Sequence, residues 1–209
     1  MMNIKTGLLT ILSVLFSATH LFAQHKDEKQ LLEYERMLNQ RADKILKVLE
    51  MTDSAKYGKV HSTVVMQYKQ LNLADQEIAQ ARKAGDSEKV RAGEQMLQKL
   101  HKKYIDSLSV QLDSQQVEKV KDGMTYSVLP VTYKAYQDMI PSLKPDEKEQ
   151  ILTWLTEARE LAMDQGSSDK KHQVFGKYKG RINNYLSARG YDLQKERSAW
   201  AERSKLKDK

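Results

Sequence analysis

The sequence predicts an all-α protein, an antiparallel helical hairpin followed by a bundle of shorter helices. Apolar residues recur at spacings of three, four and seven, the signature of helices that bury one face. No stretch alternates in the two-residue rhythm of a half-buried strand. The 209 residues include only three prolines and no long Gly/Ser-rich linker, so little interrupts a helix.

The chain opens with "MMNIKTGLLTILSVLFSATHLFAQ", in which Lys5 precedes an apolar run from Gly7 to Phe16 and small residues follow. This is the layout of a secretory signal peptide. Residues 1–23 are expected to be removed after Ala23, which places the mature protein in the periplasm or outside the cell. The run is short for a membrane span of about 20 residues, so no stable membrane insertion is expected after cleavage. Residues 24–193 are expected to form one helical domain and 194–209 a charged C-terminal tail, read as a frayed helix or a disordered segment.

Within the domain the hairpin covers 26–109. Leu31, Leu38, Ala42, Ile45 and Leu49 form the stripe of its first helix. Thr52 is read as the N-cap of the next, with Asp53 at the positive end of its dipole. Tyr57, Val64, Leu71 and Ile78 then recur every seven residues, beside Val60 and Ala74. "KAGDSEK" breaks the pattern, and a helix starting near Ser87 carries Val90, Leu97, Leu100, Tyr104 and Leu108. Two long helices and a short turn predict the hairpin.

The shorter helices cover 113–190. Asp113 and Gln116 form a capping box. Gly123 is read as the interruption, Pro130 as the first turn of the next helix and Pro141 as its stop. Pro145 opens a helix with Ile151, Leu155, Ala158 and Ala162 on one side. Gly166 is read as its C-cap, Ser167 or Ser168 as the next N-cap, and Gly190 as the last stop.

The chain has no cysteine, which excludes disulfides, zinc–thiolate sites and cysteine nucleophiles. The net charge is +7, and 166–209 alone carries twelve Lys or Arg against five Asp or Glu. The basic character therefore sits at the C-terminal end. Behind a signal peptide this points to acidic polysaccharide, anionic headgroups or simple solubility, and no nucleic acid partner is expected. No cofactor and no metal site are expected, because no two histidines stand at ligand spacing and no phosphate loop or serine elbow occurs.

Three blocks stand in order: "VKDGMTYSVLPVTYKAYQDMIP", "WLTEARELAMDQGSSDKKH" and "FGKYKGRINNYLSARGYD". Their run, from about Ala42 to Leu193, resembles the domain of unknown function 3826 family of exported Bacteroidetes proteins. The resemblance implies a carbohydrate context in polysaccharide-degrading bacteria and supplies no catalytic residue. A weaker likeness links "LDSQQ" to the leucine–threonine–x–x–glutamine motif of Spy/CpxP-like periplasmic helical proteins, although the threonine is absent.

The candidate site lies in the C-terminal half. Phe175, Tyr178, Ile182 and Tyr185 share one helix face and are expected in the core. Gly176 and Gly180 continue towards Asn183 on a neighbouring face, where close packing of another helix is the favoured expectation and a ligand the other. A carbohydrate site needs an aromatic face and converging amides or charges. Tyr133, Tyr136, Trp154, Tyr178, Arg181, Asn183 and Asn184 are its candidates, in a cleft between the tyrosine segment and this helix. The function expected is non-catalytic carbohydrate binding, acidic glycans included. The alternatives are a Spy-like chaperone or scaffold for protein clients, and a glycan-active enzyme using Glu157, Glu160 or Asp192. Glu157, Glu160 and Asp164, with Arg159 nearby, otherwise read as a solvated ion-pair stripe, and His61 and His101 as core-edge or surface residues.

Overall fold

The computed structural model describes residues 28–207, all of its regular structure being helical. The expected signal peptide lies outside the described residues. The chain falls into two compact units, Met1–Asp43 and Lys44–Lys209. Helix α1 spans 28–46, so the described part of the first unit is helix, with Leu38 and Ala42 buried. A 3-10 turn at Lys47–Leu49 follows. Among the described residues no helix is long and apolar enough to cross a membrane.

Helices α2 (Ser54–Lys83) and α3 (Ser87–Ser109) form the predicted hairpin. The cap of α2 is Asp53 rather than Thr52: its carboxylate accepts from the amides of Ala55 and Lys56 at 2.9 and 3.0 Å. A carboxylate satisfies two orphan amides at the positive helix end, which one hydroxyl a residue earlier does not. Asp86 caps α3 through the Lys89 amide at 3.0 Å. The α2 stripe is buried at Val60, Val64, Leu71, Ala74 and Ile78. At Gly93 a Cβ would lie 2.5 Å from Ile78 Cγ1, so glycine lets α3 approach α2 there.

Helix α4 (Ser114–Met124) begins with the expected box, Asp113 accepting from the Gln116 amide at 2.8 Å and Gln116 from the Asp113 amide at 3.2 Å. Gly123 does not interrupt it. The helix runs through Gly123, where a Cβ would sit 2.9 Å from Ile45 Cγ2, and the chain turns at Tyr126 and Ser127, both with positive φ. Helices α5 (Val128–Met139) and α6 (Pro145–Met163) follow, with Pro145 at the first position of α6 and Glu147 accepting from the Lys144 amide at 2.9 Å. Gly166 is not the C-cap, which is Asp164. Its small size instead admits Asp75, whose Oδ2 would lie 2.9 Å from a Cβ. Ser167 caps α7 (Ser168–Ala188) through the Lys170 amide at 3.3 Å.

The core of the shorter helices joins Ile140, Ile151, Leu155, Ala158, Ala162, Phe175, Ile182 and Leu186, all buried. Of the two alternatives for the segment from Gln194, the structure has the helical one, α8 (Leu193–Lys207). Trp200 packs against this core, and Arg203 donates to the carbonyls of Asp138 and Met139 at 3.0 Å each. Those carbonyls belong to the end of α5, where helix geometry leaves them without partners.

The expected close packing on the glycine face of α7 is also corrected. Gly176 and Gly180 are exposed, and a Cβ at either would meet nothing within 4 Å among the described residues. An exposed glycine inside a helix costs about 1 kcal/mol relative to alanine. Gly180→Ala is therefore expected to raise stability by up to about that amount, read as a higher melting temperature. A lower one would mean that another surface covers this face.

Candidate functional site

Helices α6 and α7 pack against each other and bring three candidates together on one side. The Arg181 guanidinium lies over the Trp154 ring, 4.4 Å from its centroid, and Tyr185 meets that ring edge-on at 5.2 Å. Arg181 reaches the Glu157 carboxylate at 3.6 Å. Burial and the negative charge of the nearby Glu157 carboxylate raise the Tyr178 pKa. Tyr178, Glu157 and the exposed Leu152 and Leu161 open onto a shallow groove of about 720 Å³ along α6, to which Glu149 and Glu160 also contribute.

The other candidates lie elsewhere. Tyr136 is buried and donates its hydroxyl to Asn183 Oδ1 at 2.7 Å, with the Lys179 carbonyl at 3.4 Å. Burial pushes this phenol up to about 12. Tyr136 and Asn183 thus tie α5 to α7 and satisfy one another. Tyr133 packs at the margin of the core, and Asn184 is exposed. Tyr126 stacks on His172 at 5.5 Å and 14°, which turns His172 to that contact. The tyrosine segment and Trp154 therefore do not wall one cleft.

A charged seam joins α3, α4 and α6. Arg159, 4% exposed at its side chain, donates to Glu118, to Asp122 at 2.9 Å and to Glu160 at 3.1 Å. Lys121 bridges Glu118 and Glu160 at 3.1 Å each. His101 sits between Asp164 at 3.0 Å and Glu160 at 3.4 Å. Hydrogen bonds to Asp164 and then Glu160 push the imidazole up to about 9, against its burial. Burial works to raise the Glu160 pKa, but His101 and Lys121 outweigh it and bring it to about 2. Beside the seam, Lys170 pairs with Asp75, linking α7 to α2. The sequence reading paired Arg159 with its own helix; it missed Glu118, Lys121 and Asp122 and left His101 at the edge. The one local signal was the four-residue spacing of Glu160 and Asp164, which puts both on one helix side.

Among the described residues no group of three or more His, Asp or Glu is arranged to hold a metal ion. A family model described as "protein of unknown function (DUF3826)" matches residues 35–206. No curated protein matches the chain.

Proposed function

Since the chain belongs to the DUF3826 family, whose function is unknown, we propose a role from its own residues: a helical binding protein that holds a neutral carbohydrate on the α6–α7 groove. The observation that carries this reading is the grouping of Tyr178, Glu157, Arg181 and Trp154 beside that groove. A sugar ring offers an apolar face and a rim of hydroxyls. Tyr178 and the exposed Leu152 and Leu161 supply apolar surface, and the half-exposed Glu157 supplies a strong acceptor.

Glu149, Glu157 and Glu160 line the groove and no described Lys or Arg does; Glu157 and Glu160 are ion-paired from outside the lining, so nothing in the groove draws a polyanion. The preference is therefore for neutral glycans over acidic ones. Two carboxylates of the enzymatic alternative have other tasks: Glu160 is held ionised in the seam, and Asp192 caps α8 through the amides of Gln194 and Lys195 at 3.1 Å. The third, Glu157, stands in the groove paired with Arg181 at 3.6 Å, with no second carboxylate among the described residues facing it across a substrate path. For the chaperone alternative, the hairpin exposes Met66, Leu73 and Met96, but singly exposed apolar residues are ordinary on any surface.

Titration calorimetry with neutral oligosaccharides and a polyuronate tests the reading. Neutral ligands are expected to bind, with Tyr178→Ala and Glu157→Gln each weakening them about tenfold or more. Tighter binding to the polyuronate, or affinity unchanged in both variants, would remove the groove from consideration.

A further inference from the structure

A second cavity opens between α2 and α3, of about 250 Å³. Ser62, Gln67, Gln70, Lys103 and Ser107 line it together with Tyr104, and no lining residue carries a carboxylate. Gln67 and Tyr104 are both 3% exposed. The Tyr104 hydroxyl is buried without a hydrogen-bond partner among the described residues. Burying polar groups unpaired disfavours folding. A hairpin shaped for stability alone would carry phenylalanine in place of Tyr104, so this hydroxyl beside a cavity suggests that something else meets it.

Charge narrows the class. Lys102 is paired with Asp106 at 2.8 Å, whereas Lys103 makes no ion pair among the described residues. The cavity therefore presents one unbalanced cation with hydroxyls and carboxamides. Its volume lies below the roughly 300–1,000 Å³ of drug-sized sites, which suits one ring rather than a chain. We propose that this cavity binds a small hydroxylated monoanion of the sugar-acid class. Its carboxylate pairs with Lys103, and its hydroxyls meet Gln67, Gln70 and Ser62. The site stands apart from the α6–α7 groove, whose lining is acidic, and does not depend on it.

The test is an amide NMR titration of the protein with sodium D-glucuronate, using D-glucose as the uncharged control. Glucuronate is expected to shift amides within Ser62–Gln70 and Leu100–Ser107, and glucose to leave them in place. Lys103→Gln, on an exposed side chain that the fold does not need, is expected to abolish the shifts. Gln67→Leu is expected to abolish them too, and Tyr104→Phe to raise the melting temperature without ligand because it removes an unpaired buried hydroxyl. No shifts with glucuronate, shifts surviving Lys103→Gln, or equal shifts with glucose would overturn the proposal. A lower melting temperature for Tyr104→Phe would count against it as well, by assigning the hydroxyl to the fold.

Discussion

Arg159→Ala is expected to destabilise the protein by about 3 kcal/mol, measured as a fall in the urea midpoint at unchanged slope. The guanidinium is almost fully buried and is shared among Glu118, Asp122 and Glu160, on two helices. Removing one partner of a buried pair typically costs about 3–5 kcal/mol, because the other charge stays buried without compensation. Two features place the loss at the low end. The Glu118 side chain is half exposed and can rehydrate, and Lys121 still bridges Glu118 and Glu160. Arg159→Met keeps the apolar stem packed and is expected to lose somewhat less. A loss below about 1 kcal/mol, the range of exposed pairs, would show that the seam is solvated and does not hold α4 to α6.

How far the fold could be read from the sequence depended on the range of each signal. Apolar spacing and caps act within three or four residues, so the hairpin, the Asp113–Gln116 box, Pro145 and Ser167 were all legible. The glycines were misread for the opposite reason. Gly123 and Gly166 look like helix breakers alone, but their small size answers Ile45 and Asp75, which are distant in sequence. Helix α8 was read as either a frayed helix or a disordered segment because it has no sustained apolar stripe; its docking depends on Trp200 and on one arginine that finds the carbonyls ending α5.

The candidate site was legible in part. Aromatic and charged composition singled out Trp154, Tyr178 and Arg181, which do stand with Glu157. Helical spacing also contained the reason that Asn183 lies elsewhere: five residues from Tyr178 turn it about 140° around α7, towards α5 and Tyr136. The seam was not legible. Its bonds join residues such as Arg159 and Asp122, 37 positions apart, and His101 and Asp164, 63 apart. No local pattern announces a carboxylate that will meet a cation from another helix. The cavity between α2 and α3 escaped notice for a related reason, since Gln67 resembles any polar helix residue until its burial is known.

Stability is expected to fall as pH rises from about 6.5 to about 9, and His101→Gln is expected to flatten that fall. The folded-state pKa of His101 is raised, from 6.5 to about 9, by hydrogen bonds to Asp164 and Glu160. A raised pKa in the folded state means that the native protein holds the proton more tightly than the unfolded chain does. The stabilisation is full below 6.5 and disappears through about 9. Glu160 works in the other direction: its folded pKa falls from 4.5 to about 2, so its contribution is present above 4.5 and lost in acid. The two shifts share the His101–Glu160 contact, so that contact counts once, and the loss on the alkaline side comes to about 2 kcal/mol after allowance for the partly exposed ring. Between roughly pH 4.5 and 6.5 both groups contribute fully, which sets a plateau flanked by declines. Thermal melts across this range, with the His101→Gln variant alongside, read the slope directly. If the variant kept the wild-type slope above pH 6.5, the alkaline loss would belong to other groups, and the clasp from α3 onto α6 would contribute nothing to stability.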